Sequence, residues 1–139
     1  MPIILKFGLW AVGAIVLVLV YWNVQYQWKL RKHRGMSRAS FLDHFAERGL
    51  KSEIAAAVYD YYRSRSLSGT FGLSPEDDIS ELFNQAEDDI EDDFTSVLKK
   101  LDLAMPSDQA WDGRGVPPVK TVEDLVRALA WAAQNQPSE

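Results

Sequence analysis

FGLWAVGAIVLVLVYW, residues 7–22, opens a run that carries no charged side chain before Lys29. Apart from small and aromatic residues it is aliphatic. Drawn as a helix with a rise of about 1.5 Å per residue, Phe7 to Trp28 covers roughly 33 Å, enough to cross the hydrocarbon core of a bilayer. Tyr21, Trp22, Tyr26 and Trp28 fall at its C-terminal end, where amphipathic rings favour the headgroup layer, and Lys6 can snorkel at the other end. Residues 1–28 therefore read as a transmembrane anchor.

The charges beside this run give it a direction. Lys29, Arg31, Lys32, His33, Arg34 and Arg38 follow it, against Lys6 and the amino terminus before it. The positive-inside bias then places the N-terminus outside and the rest of the chain in the cytoplasm, as a single-pass protein of the inner membrane. A cleaved secretory signal is the competing reading. The residues after the apolar run (Tyr21, Trp22, Asn23, Val24, Gln25) are mostly bulky, offer no A-x-A-like site, and the positive charge lies on the wrong side. Gly8, Ala11, Gly13 and Ala14 would let another helix approach closely, but they form no GxxxG pair and read as small residues tolerated in lipid.

Beyond the anchor, the 139-residue chain leaves room for one compact domain of roughly 100 residues. The net charge of −5 hides a division. Residues 1–50 carry seven Lys/Arg against two acids, a balance of +5, and residues 51–139 carry eight against eighteen, a balance of −10. The basic part suits anionic lipid headgroups, and the acidic part would repel the phosphates of a nucleic acid. With no cysteine there is no disulfide, no thiolate metal site and no thiol nucleophile. The division reads as anchor (1–28), basic juxtamembrane linker with a short helix (29–51), and acidic helical domain (52–139).

Periodicity makes the remainder all-α. Ser37 or Ser40 can cap a short helix through Arg48 that Gly49 terminates, with Phe41, Leu42 and Phe45 on one side. Ser52 reads as the cap of a helix buried through Ile54, Ala57, Val58, Tyr61 and Tyr62. After a Ser/Gly-rich loop, Ser74-Pro75-Glu76-Asp77 supplies a cap, a first-position proline and first-turn acids for a helix carrying Ile79, Leu82 and Phe83. Ile90, Phe94, Val97, Leu98 and Leu101 mark an amphipathic helix from about Ala86 to Leu101. Residues 102–120, with three prolines and two glycines, form a loop that Trp111 could pin. Thr121 and Asp124 make a capping box for a last helix buried through Val122, Leu125, Val126 and Leu129, with Pro137 beyond it.

This order resembles the acyl carrier protein fold over about Ser52 to Ala133. Three segments carry the resemblance: Gly72-Leu73-Ser74-Pro75 leading to Ile79 and Leu82, the acidic helix start AEDDIEDDF, and TVEDLVRAL near the end. In carrier proteins the acidic helix opens with Asp-Ser-Leu, whose serine bears phosphopantetheine. Here the serine position falls on Asp88 or Asp89, which cannot accept the phosphodiester, and Ser80 lies in the preceding short helix. The chain is similar to short bacterial proteins that keep the carrier outline without the serine. The resemblance implies a helical bundle with a partner-docking surface and argues against carrier chemistry.

Ten acids lie between Glu76 and Asp93, and no Lys or Arg occurs from Ser66 to Leu98. An EF-hand loop is absent, so no metal site is assigned. Glu87, Asp88, Asp89, Glu91, Asp92 and Asp93 are the candidate docking residues, offering a negative face to a basic patch on a partner. Against this stands a solvated helix whose Glu87, Asp88 and Asp89 merely complement the helix dipole, an account that covers Glu91, Asp92 and Asp93 less well. His33 and His44 have no nucleophile or metal partner nearby in sequence, and no phosphate loop, GxSxG or HExxH motif occurs. Trp111 and Trp131 could anchor a partner if exposed, or fill the core.

The membrane-interface set is Lys6, Tyr21, Trp22, Trp28, Lys29, Arg31, Lys32 and Arg34. The expected function is a membrane-anchored, non-enzymatic interaction protein or accessory subunit, without catalytic residues or cofactor, that meets a protein partner at or in the membrane. An immunity or regulatory protein that presents its acids to a toxin is the alternative, and an acyl carrier is a third.

Overall fold

The computed structural model describes residues 2–67, 71–107 and 119–137; Trp111 and most of the loop expected over 102–120 lie outside them. Six helices form among the described residues: α1 (Ile3–Lys32), α2 (Arg38–Ala46), α3 (Ser52–Arg63), α4 (Ile79–Phe83), α5 (Glu87–Lys100) and α6 (Val122–Gln134). No strand occurs among these residues, only two isolated antiparallel bridges, Met36 with Leu73 and Asp78 with Thr121. The chain is thus all-α, a long apolar helix followed by a small helical domain.

Local chemistry explains several helix ends. Ser37 caps α2 by accepting the Ser40 N–H at 3.3 Å. Past its other end, Gly49 at φ +76° lets Leu50 N–H reach the Phe45 carbonyl (3.0 Å) and its own N–H reach Ala46 (3.1 Å), the Schellman closure. The capping box of α6 forms as its sequence predicts, Thr121 Oγ1 accepting from Asp124 N–H and an Asp124 oxygen from Thr121 N–H.

Two expected starts are displaced. Ser52 is the first helical residue of α3, not its cap; the extended Lys51 precedes it and no side chain caps the helix. The α3 stripe is Ile54, Ala55, Val58, Tyr59 and Tyr62, so Ala57 and Tyr61 stand at its margin, half-buried. Ser74-Pro75-Glu76-Asp77 does not open α4. It folds into a turn, with Asp77 N–H on the Ser74 carbonyl (3.1 Å) and Ser74 N–H on Asp77 Oδ2 (2.7 Å). Asp78 caps α4 instead, accepting from Glu81 N–H at 3.0 Å.

Helix α3 lies at the centre, packed against α2, α5 and α6. The bridge between Met36 and Leu73 ties the segment after α1 to the loop before α4, and it needs two glycines. A Cβ on Gly35 would stand 2.2 Å from the Gly72 carbonyl oxygen, and one on Gly72 2.7 Å from that of Met36.

Of α1, only Leu30 is buried, and it is buried completely. Residues 2–25 are exposed, Tyr26 packs against the core, and no break separates the two parts. The expected division at 28/29 therefore falls inside one continuous helix, whose last turns belong to the domain. The linker reading of residues 29–51 changes accordingly, since Leu30, Phe41 and Phe45 are core residues.

Candidate functional site

Three groups of residues were candidates for function: the acidic helix, the basic flank and the histidines. On α5 the apolar positions Ile90, Phe94, Val97 and Leu98 face inward. Geometry at 100° per residue then puts Asp88 and Asp92 on the outer side with Asp89 and Glu91 at its margins, while Glu87 lies in line with Ile90 and Phe94 at the open start of the helix; all five are exposed. Asp89 also accepts the Ala86 N–H at 3.1 Å and so secures the helix start. No ion pair among the described residues engages these five carboxylates.

Asp93 does not belong with them. It is 2 % exposed, on the inner face, and accepts hydrogen bonds from Tyr61 Oη (2.7 Å), Tyr62 Oη (2.9 Å) and the Arg65 guanidinium. Arg65 in turn lies over the rings of Tyr61, Tyr62 and Phe83 at 5.1–5.5 Å. Burial raises the Tyr62 phenol well above its ordinary range, and the charge of Asp93 and the hydrogen bond to it push the same way; Tyr61 is raised by burial and then by its bond to Asp93. Both phenols therefore remain donors. A buried carboxylate holding this many partners is a fastening between α3 and α5, so Asp93 is withdrawn from the docking set.

The basic flank is divided too. Lys6, Tyr21, Trp22, Trp28, Arg31, Lys32 and Arg34 are exposed, with Lys32 Nζ 4.7 Å from the centre of the Trp28 ring. Lys29 instead turns onto the domain, donating to the Glu81 carbonyl and to Asn84 Oδ1. Trp22, Gln25, Tyr26, Lys29 and Asn84 line a shallow recess there. Between Tyr26 and Lys29, Gln27 Nε2 donates to the Arg65 carbonyl (3.2 Å) and Gln27 Oε1 accepts from Leu67 N–H (3.1 Å).

The histidines join elements rather than facing solvent. His33 Nε2 lies 2.8 Å from Asp77 Oδ2, with its ring against Phe71, and His44 Nε2 lies 3.5 Å from Glu123. Sequence reading missed Gln27, Leu30 and Asp77 as positioning residues, because their partners lie 38 or more residues away in the chain for Gln27 and Asp77. Trp131 is half-buried against the core. Among the described residues no group of three His, Asp or Glu could hold a metal ion. Ser80 is half-buried in α4, and the would-be serine positions, Asp88 and Asp89, are exposed.

Comparison with known proteins finds no matching family model, no matching curated protein and no matching solved structure.

Proposed function

We propose that the chain is a single-pass protein of the inner membrane whose domain faces the cytoplasm and serves as a non-enzymatic docking module or accessory subunit for a membrane-associated protein. One observation carries the reading. The apolar surface of α1 is exposed over its first 24 residues or so, while Leu30 at its end is fully buried in the domain. No described residue of the domain buries that surface, and lipid would. Cleavage after the apolar run would cut a continuous helix just ahead of residues that pack into the core, which favours an anchor over a signal sequence. The basic residues after the span favour the cytoplasmic side.

The docking face in this reading is Glu87, Asp88, Asp89, Glu91 and Asp92. Asn84 sits beside Trp22 and Tyr26, and α5 begins three residues later, so these acids stand close to the membrane surface. A membrane protein that obeys the positive-inside bias carries its Lys and Arg at that depth, which supplies the complementary charge. The acyl-carrier-like outline from α3 to α6 belongs to the same proposal, with docking kept and the prosthetic group lost.

Purification from membranes in mild detergent tests it. A specific membrane protein is expected to accompany the chain and to be lost when Glu87, Asp88, Glu91 and Asp92 are made Gln or Asn. Recovery of the free monomer alone would count against docking, and release of the chain by alkaline carbonate would count against the span.

A further inference from the structure

The junction between α1 and the domain leaves an aliphatic side chain, Leu67, in the open. About twenty helical residues cross the hydrocarbon. Counted from Phe7, just after Lys6, they end at Tyr26. Gln27 therefore stands at the boundary between hydrocarbon and headgroups, and its side-chain amide holds the Arg65 carbonyl and the Leu67 N–H. Those bonds fix the segment after α3 at the depth of the boundary.

Leu67 is 85 % exposed, and Met105 is the one other large apolar side chain left exposed outside α1 among the described residues. The backbone of Leu67 is thus held beside Gln27 while its side chain is left uncovered. The flanking charge agrees with this placement: Lys32 and Trp28 stack on the same turn of α1, and the exposed Arg63 lies just before the loop.

We propose that Leu67 inserts into the bilayer at the hydrocarbon boundary beside the span, so that the domain rests on the membrane at two points. The inference relies on α1 spanning the bilayer, and continuity with that span is what identifies lipid as the occupant. A single span leaves a domain free to tilt with its helix. A second apolar contact to one side of it opposes that tilt and holds one edge of the domain, the α3 C-terminus with α4, against the headgroups.

The chain has no cysteine, so single-cysteine variants can be labelled cleanly. Leu67→Cys, Val16→Cys and Arg127→Cys of the full chain, each carrying an environment-sensitive fluorophore, would be reconstituted in vesicles of phosphatidylethanolamine and phosphatidylglycerol containing nitroxide lipids of shallow or deep position. All three positions are exposed, so the fold should tolerate the labels. The probe at 67 should shift to the blue and be quenched by shallow nitroxide several-fold more than the probe at 127, while the probe at 16 responds to deep nitroxide. If the probe at 67 behaves like that at 127 while the probe at 16 is quenched, the lipid contact of Leu67 is overturned and the span stands. If the probe at 16 is not quenched either, the span falls and this inference with it.

Discussion

Helices α1 and α6 are both rich in Ala, Val and Leu, yet they meet opposite fates. In α6, thirteen residues bury seven side chains, from Val122 to Ala132, against the domain; in α1, thirty residues bury one. The contrast lies in arrangement. Helix α6 interrupts its apolar positions with Glu123, Asp124 and Arg127, so one side is wetted and the other packs. Helix α1 has no polar side from Phe7 to Trp22 and so has no reason to turn any part of that stretch inward. Apolar content alone does not make a core helix.

The sharpest way to break this contrast is to remove the same methyl groups from each helix. Leu125→Ala should lower domain stability by about 2–5 kcal/mol, the cost of a cavity at a fully buried leucine, whereas Leu17→Ala should leave it unchanged. Urea unfolding of the full chain in detergent, followed through the domain's tyrosines, would show both. An equal loss from the two would mean that α1 packs on the domain.

Glycines give a second contrast. Gly13 has open space around it, while Gly35 lies against the backbone of Gly72. Gly35→Ala should therefore cost about 1–3 kcal/mol by forcing the two segments apart, and Gly13→Ala should cost the domain nothing. The same unfolding midpoints decide it.

The third expectation concerns pH. The folded state holds the Tyr62 phenol above its unfolded value near 10. Its contribution is therefore present in full below pH 10 and is lost as pH rises beyond that, at about 1.4 kcal/mol per unit for this one group. A stability profile between pH 8 and 11 should bend downward above 10, and the bend should lessen in Tyr62→Phe. The smallest loss belongs to the exposed acids at the start of α5. Glu87→Gln with Asp88→Asn should move the urea midpoint less than Leu125→Ala or Gly35→Ala, because only the helix dipole loses a partner. Asp93→Asn should move it far more, which separates the inner acid from the outer ones.

That last pair shows where sequence was legible. The α5 helix and the α6 capping box were readable because their determinants lie within one or two turns of each other. The inward turn of Asp93 was half-readable: it follows Ile90 by three and precedes Val97 by four, which puts it on the apolar stripe, but its charge grouped it with its neighbours. Its donors, Tyr61, Tyr62 and Arg65, come from 28 or more residues away, and no local pattern announces them. Leu30 was masked in the same way by the cations around it. Ser74-Pro75 misled because a turn closed by a side chain uses the same residues as a helix cap, and Asp77 was already engaged by Ser74 and His33.

The unbroken course of α1 into the core also fixes an angular relation. Successive helical residues are turned by about 100° about the axis, so the bearing of the acidic face relative to the apolar surface of α1 is set by the number of residues between that surface and Leu30. One residue inserted between Trp22 and Tyr26 would leave the apolar run of α1 and the domain intact. It would nonetheless swing the domain through more than a quarter-turn relative to the apolar run, and in the proposed reading a partner held by both helix and domain would no longer find the two in phase.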